Sequence, residues 1–451
     1  LMYRTLLPFL DSWRLSPRRK PLILRGARQV GKTYLLREWG GRSFPRVHYL
    51  NFEKQPDLRT IFDRDFDTTR LLSELSFVLG APVDTRRDLL FFDEIQSCPR
   101  AITALKYFCE DARELAIVCA GSLLGVALSP ESFPVGKVDF LSLYPMSFVE
   151  FLRAFDRRHS LDRLPPASLS AHIPEVIHNH LWDMLRLYYV TGGMPEVVQL
   201  FIDESSATGI ADVAILEEVR RIQRNIVTSY GSDIAKHAGK TNATHIHALY
   251  RNIPSQLQTV HDGSTRRFQF NEVMSGKKGF AAWERPIHWL SNAGLIHQIK
   301  ITNKAAFPLE HFTKPNFFKL FPHDIGLLGA MLDLPPALVI QQQFGTAKGF
   351  FAEAYVAQQL IASAPPEKLE QLYCWQEGDA EIEFLLPRAD ALVPIEVKSS
   401  HRTKARSLGE FIRRYEPPLA VKLSTNQFSY SKEKRIVQLP LSVVHWIREL
   451  E

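Results

Sequence analysis

At 451 residues the chain exceeds what one ordinary hydrophobic core organises, and about three domains are expected. A hydrophobic content of 45% with 11% aromatics excludes a disordered chain, and no apolar run reaches the ~18 residues of a membrane-crossing helix, so no membrane association and a cytoplasmic protein are expected. The net charge of +6 is unevenly spread: residues 1–235 balance at 29 of each sign, 236–305 carry +7, 306–395 carry −6 and 396–451 carry +5. Two basic blocks around an acidic one suit a polyanion partner beside a divalent-metal site, although surface charge also varies by chance along any chain.

The first stretch, with Arg4 and Asp11 inside an amphipathic pattern, lacks the apolar core of a secretory leader. The apolar run Pro21–Arg25 then reads as a strand leading into Gly26-Ala27-Arg28-Gln29-Val30-Gly31-Lys32-Thr33, a complete G-x-x-x-x-G-K-[ST] phosphate loop, followed by the helical pattern Thr33–Trp39. Gly26 and Gly31 let successive backbone N–H groups face an anion, and the following helix turns its positive end to the same phosphates. Lys32 is expected to reach the β- and γ-phosphates of ATP, and the Thr33 hydroxyl to take one Mg²⁺ position.

Val47–Phe52 reads as a strand and Thr69–Leu79 as a helix. About sixty residues beyond the loop, Asp88-Leu-Leu-Phe-Phe-Asp93-Glu94 has the form of a Walker B strand, buried on both faces and ending in two carboxylates. Asp93 would hold Mg²⁺, and Glu94 would orient or deprotonate the attacking water. A further buried strand, Leu115–Ala120, ends at Gly121-Ser122 beside Asp93; Ser122 reads either as a γ-phosphate sensor or as a plain helix N-cap. The four cysteines, Cys98, Cys109, Cys119 and Cys374, have neither the spacing of a zinc site nor that of a disulfide framework. Residues 1–145 therefore read as a doubly wound α/β layer with its ligand at the C-terminal edge of the strands.

Ser147 and Glu150 form the signature of a capping box, Arg157–Ser170 reads as a charged, Pro-rich loop, and helical periodicity then dominates 172–232, broken at Gly192-Gly193-Met194-Pro195. Within 239–305 the pattern runs through helices at Thr244–Leu257, Asn271–Ser275 and Gly279–Asn292 to a short strand, Leu295–Thr302. That order suits a winged helix, with Pro286 interrupting the third helix, and equally a small helical packing domain without DNA contact. His178/His180 and His245/His247 lie in helical patterns without a third ligand, and are read as solvated or capping residues.

The last block carries a second constellation. Glu353 lies in an apolar helix, Glu383 in the strand Ala380–Leu386, and Glu396 and Lys398 close the strand Val393–Lys398, on one face by the period of two. Glu383 and Glu396 are candidate Mg²⁺ ligands, and Lys398 is placed to position or polarise a water, the parts that metal-assisted phosphodiester hydrolysis needs. An Ile-Glu-Val-Lys tetrapeptide alone arises freely in alternating strands; Glu383 and Glu353 give it context.

Taken together, the phosphate loop, Phe92-Asp93-Glu94-Ile95-Gln96, Gly121-Ser122, Leu143–Phe151, Gly192–Glu196 and Ile395-Glu396-Val397-Lys398 resemble a widespread prokaryotic AAA-type ATPase family with a C-terminal region of uncharacterised function. The resemblance implies ATP binding and hydrolysis in a P-loop core (1–145), a helical lid (146–238), a winged-helix-like domain (239–305) and a restriction-endonuclease-like PD-(D/E)XK α/β domain (306–451). It also implies that Pro195 packs on adenine. Glu383 stands where the family usually has Asp, one methylene longer, and Lys137 where an arginine usually follows Gly136, a point charge in place of a planar fork. The sensor position, Ser122, lacks the longer amide of many related ATPases. Expected partners are ATP, DNA, and either further copies of the chain or another protein. Two functions follow: a Mg²⁺-dependent ATPase coupled to a DNA-facing nuclease-like module, or an ATP-gated switch on an inactive nuclease-like scaffold.

Overall fold

The computed structural model describes residues 2–121, 134–208, 213–257, 266–277, 279–399 and 406–450. They form two compact units: one is Leu1–Tyr144 with Asn292–Gly294 and Pro365–Leu369, and the other takes Pro145–Ser291, Leu295–Ala364 and Glu370–Glu451.

The first unit is built on a five-stranded sheet of β1 (Leu22–Arg25), β2 (Val47–Asn51), β3 (Leu89–Asp93), β4 (Ala116–Ala120) and β5 (Asp139–Ser142), in the order β2-β3-β4-β1-β5. Every pairing is parallel. All five residues of β3 and of β4 are buried, which their unbroken apolar sequences require of strands covered on both faces. Helices Lys32–Ser43, Thr68–Leu79 and Pro99–Asp111 connect the strands. The second is capped by Asp67, which accepts from the Arg70 N–H at 2.8 Å, and closed by Gly80 at φ +65°. The register puts Asn51 beside Asp93, Phe92 beside Cys119 and Leu24 beside Ala120, so the ends of β1, β2, β3 and β4 converge on one edge. All four cysteines are buried thiols.

The second unit opens with helices, of which Phe148–Phe155 carries the expected capping box between Ser147 and Glu150. It also contains an eight-stranded mixed sheet of β6 (Ile296–Thr302), β7 (Thr313–Pro322), β8 (Leu372–Glu377), β9 (Ala380–Arg388), β10 (Ala391–Val397), β11 (Ala420–Ser424), β12 (Ser429–Ser431) and β13 (Ile436–Pro440), in the order β12-β13-β11-β10-β9-β8-β6-β7. The helix Ala347–Ala362, buried from Phe350 to Ile361, precedes an antiparallel run β8-β9-β10, and helix Arg406–Tyr415 leads into β11, parallel to β10.

Between residues 239 and 305 the structure differs in detail from the sequence pattern. The second expected helix is only a 3-10 turn, Phe270–Glu272, and the third becomes a 3-10 turn, Phe280–Ala282, followed by helix Glu284–Asn292. Pro286 consequently lies in a first helical turn, where no intrahelical N–H bond is lost, and interrupts nothing. The strand expected as a wing, β6, is paired on both edges, antiparallel to β7 and parallel to β8, so it belongs to the large sheet. No helix among the described residues is long and apolar enough to cross a membrane.

Candidate nucleotide site and carboxylate cluster

The phosphate loop leaves the end of β1. Gly26 has φ +148°, and a Cβ there would meet the Leu143 carbonyl oxygen at 2.1 Å, so only glycine fits. Gly31, at φ +91°, caps the helix Lys32–Ser43, and Gln29 also takes positive φ, at +66°. Ala27 and Val30 are buried under the loop, Arg28 is half-buried and Gln29 exposed. Lys32 curls back over the turn, its Nζ donating to the carbonyls of Gly26 at 2.9 Å and Ala27 at 2.6 Å. Burial lowers its pKa to about 8, against the opposing pull of Glu94 and Asp93.

The Thr33 hydroxyl donates to Asp93 at 3.0 Å, joining the helix start to the end of β3. Asp93 also accepts from the Tyr49 hydroxyl at 2.7 Å, the Asn51 side-chain amide at 3.1 Å and the Glu94 N–H at 3.1 Å. Glu94 holds φ +49°, an uncommon conformation for a residue with a side chain, and its carboxylate accepts from the Gln96 amide. Hydroxyl and carboxylate oxygens at this edge are the hard donors that Mg²⁺ takes, commonly one or two from protein with the rest from phosphate and water.

Three residues absent from the motif reading support this site. Tyr49 and Asn51 brace Asp93 from β2, and Arg4 donates to the Val30 carbonyl at 3.0 Å and to the Tyr144 carbonyl. The polar ends of the alternating segment Val47–Asn51 were a signal for the first two; nothing local marks Arg4. Lys137 pairs with Glu110 at 2.8 Å, so its ammonium has a protein partner. Ser122 lies outside the described residues. Pro195 begins the helix Pro195–Thr208, in the second unit.

The second unit gathers Glu353, Glu383, Glu396 and Lys398 as the sequence pattern suggested. The three carboxylates are at most 3% exposed. The Lys398 ammonium stands 3.6 Å from Glu383 and 3.4 Å from Glu396, on neighbouring strands, and Glu383 accepts from the Val397 N–H at 3.1 Å. Burial pushes Glu383 up to about 8; Lys398 opposes the rise, while Glu353, Glu396 and Glu381 add to it.

Three further members, Lys319, Glu381 and Lys422, went unread. Lys319, 1% exposed on β7, bonds Glu353 at 2.7 Å and also Glu381, which lies two residues before Glu383 on the same strand. A lysine inside Phe317-Phe318-Lys319-Leu320-Phe321 and the alternation Glu381-Ile382-Glu383 were the available signals. Lys422, directly across from Glu396 on β11, is half-buried and also feels that carboxylate. Among the described residues no group of three or more histidine, cysteine or acidic side chains is disposed to hold a metal ion. What is offered is a pair, Glu383 and Glu396, with a cationic group already close to both, which suits an ion that draws its remaining ligands from phosphate and water.

Comparison with known proteins places these features. Residues 18–152 match the family described as AAA domain. Residues 183–338 and 348–444 match two families described as domains of unknown function, DUF8612 and DUF4143. No curated protein matches the chain. Solved structures similar to it include the Walker-type ATPase PABY2304 of Pyrococcus abyssi, 13% identical, covering 74% of this chain and 96% of that one with a TM-score of 0.48. The Aeropyrum pernix ORC1 protein in complex with DNA is 13% identical, with coverage of 74% and 91% and a TM-score of 0.31. The Thermotoga maritima RuvB Holliday junction branch migration motor is 16% identical, with coverage of 64% and 86% and a TM-score of 0.31.

Proposed function

We propose, from the premise that this chain is an AAA-type P-loop ATPase with C-terminal domains of unknown function, that it hydrolyses ATP with Mg²⁺ and couples that turnover to a DNA-facing nuclease-like module. The observation that carries the first half is the 3.0 Å bond from Thr33 to Asp93, which brings the hydroxyl of the phosphate loop and the carboxylate of β3 to one point. Backbone N–H groups from Ala27 to Thr33 cradle the phosphates, and Lys32 exchanges its two loop carbonyls for β- and γ-phosphate oxygens. Thr33 and Asp93 would hold Mg²⁺, which would supply neutralisation of charge on the transferred phosphoryl group. Tyr49 and Asn51 hold the Asp93 carboxylate in place through their hydrogen bonds; Glu94, released from Gln96, orients the attacking water. Ser122 senses the γ-phosphate.

The second half rests on Lys398 lying within 3.6 Å of both Glu383 and Glu396, and on the order helix, three-strand antiparallel run, helix, parallel strand around them. That order supports a restriction-endonuclease-like domain in 306–451; residues 146–238 are assigned as a helical lid, and the place of β6 in the large sheet favours a small packing region over a winged helix in 239–305. Glu383 and Glu396 would hold a divalent cation there, and the chemistry it would supply is polarisation of the phosphodiester and acidification of a water. Glu353 borders the site from its helix, and Lys398 positions the water or the scissile phosphate.

A second reading is an ATP-gated switch with an inactive nuclease-like scaffold that docks a partner, and one observation favours it. Lys319 engages Glu353 and Glu381 in buried ion pairs, occupying two of the four carboxylates. Steady-state ATP hydrolysis by the full chain tests the first half: Lys32→Ala and Glu94→Gln should each lower kcat by at least about 100-fold, by loss of phosphate contacts and of water activation. Unchanged turnover in either variant would remove that residue from its assigned role.

A further inference from the structure

The hairpin β6-β7 carries a feature that neither the nucleotide site nor the carboxylate cluster uses. Strand β7 is the edge of the eight-stranded sheet. On it the half-buried Phe317 ring lies under two cations, with Arg267 Cζ at 4.4 Å and Lys314 Nζ at 5.2 Å from its centroid. Just before the strand, half-buried Phe312 carries Lys304 Nζ at 5.3 Å. Arg267, Lys304 and Lys314 are exposed, and none of them makes an ion pair with a described carboxylate, although exposed acidic residues are frequent elsewhere on the chain.

Three cations gathered on two aromatic rings, without a carboxylate to balance them, form an anion-binding surface with flat apolar faces built in. Between the rings the edge strand is bulged: its pairing passes from Thr302 opposite Thr313 to Lys300 opposite Phe318, so residues 314–317 are left out of the ladder and present Lys314 and Phe317 at the sheet edge. A duplex keeps its bases stacked inside, so aromatic rings flanked by cations at a sheet edge suit bases that are free to leave the stack. An added peptide strand fits poorly: Pro315 removes a donor from the edge of β7, and the Phe318 carbonyl is already bonded by the Phe268 N–H at 2.9 Å. Two positions beyond Phe317, on the same face by the period of two, Lys319 reaches Glu353 and Glu381.

We propose that the β6-β7 hairpin binds single-stranded nucleic acid, with bases stacked on Phe317 and Phe312 and phosphates held by Arg267, Lys314 and Lys304, on a track that leads toward the carboxylate cluster. The proposal rests on the DNA-facing reading above and narrows it to unpaired strands. A base takes the place of Lys314 over Phe317 or stacks on the outer plane of the Arg267 guanidinium, and the displaced ammonium moves to the backbone phosphate.

The test is fluorescence anisotropy with the full chain, without divalent metal, using dye-labelled oligothymidylate and a duplex of equal length. Wild type should bind oligothymidylate the more tightly, and Phe317→Ala should weaken that binding about tenfold with little effect on the duplex, since one stacked base carries that much. The surface double variant Arg267→Gln/Lys314→Gln should weaken it further and flatten its salt dependence. Equal affinity of wild type and both variants for oligothymidylate, a preference for duplex, or displacement of the strand by polyglutamate as readily as by unlabelled oligothymidylate would overturn the assignment. Loss of the preference for single strands alone leaves the DNA-facing reading standing, whereas binding of neither nucleic acid ends both.

Discussion

A buried lysine between two carboxylates is the side-chain arrangement in this protein whose loss should cost the most. Lys319 is 1% exposed and meets Glu353 and Glu381, themselves nearly buried, so Lys319→Ala would strand two carboxylates away from water. Breaking such a group from one side typically costs about 3–5 kcal/mol. Urea denaturation of that variant should show a loss in this range, mostly recovered when Glu353→Gln and Glu381→Gln are added; a loss below about 1 kcal/mol would mean the pairs are solvated. The phosphate loop and the Asp93-Glu94 pair were legible because their spacing is fixed by one local turn and one strand end. Lys319 was not, because its partners lie 34 and 62 residues away and meet it only once the sheet has formed. The same holds for Arg4, which reaches Tyr144 across 140 residues.

Whole elements were read more securely than their junctions. Strands β1, β3 and β4 carry continuous apolar runs that leave little alternative, while between helix Lys240–Gln256 and β6 the helical period resolves, among the described residues, into two 3-10 turns and the short helix Glu284–Asn292. Local pattern also could not show that β6 pairs with β8, some 70 residues on. The glycines of Gly192-Gly193-Met194-Pro195, readable only as a helix break, have a packing reason. A Cβ on Gly193 would lie 2.0 Å from the Met146 carbonyl, and the Gly193 N–H donates to Asp324 at 2.6 Å. Gly193→Ala should therefore cost about 3 kcal/mol or prevent folding, by forcing two backbones apart. In the helix Lys32–Ser43, a Cβ on Gly41 meets nothing within 4 Å, and Gly41→Ala should raise stability by about 0.5–1 kcal/mol. Thermal melts of the two variants check both signs; a stabilised Gly193→Ala would refute the close approach.

For the molecule as a whole, acid should act through histidines held neutral inside the second unit. Burial lowers His297 to about 3, with His323 adding to the effect, and lowers His323 and His445 to about 4. His323 bonds the Leu295 carbonyl at 3.1 Å and lies 3.4 Å from the Tyr230 hydroxyl. Since the unfolded chain binds protons first, near the ordinary histidine value of about 6.5, stability is complete above that pH and is lost as pH falls through about 4. Urea midpoints measured from pH 7 to 4 should fall steadily, and His323→Asn should make the fall shallower; a midpoint independent of pH over that window would show the histidines to be hydrated. No sequence pattern announced this, because burial of a histidine is decided by what packs over it.

The proposed coupling links ATP turnover at the phosphate loop to the carboxylate centre of Glu383 and Glu396. It is tested most directly by incubating the full chain with supercoiled plasmid and Mg²⁺ or Mn²⁺, with and without ATP, beside Glu396→Ala and Lys32→Ala. The account predicts nicking that requires the divalent ion, disappears in Glu396→Ala and loses its dependence on ATP in Lys32→Ala. Plasmid left intact in every lane by a chain that still hydrolyses ATP would contradict it and leave the inactive-scaffold switch in its place.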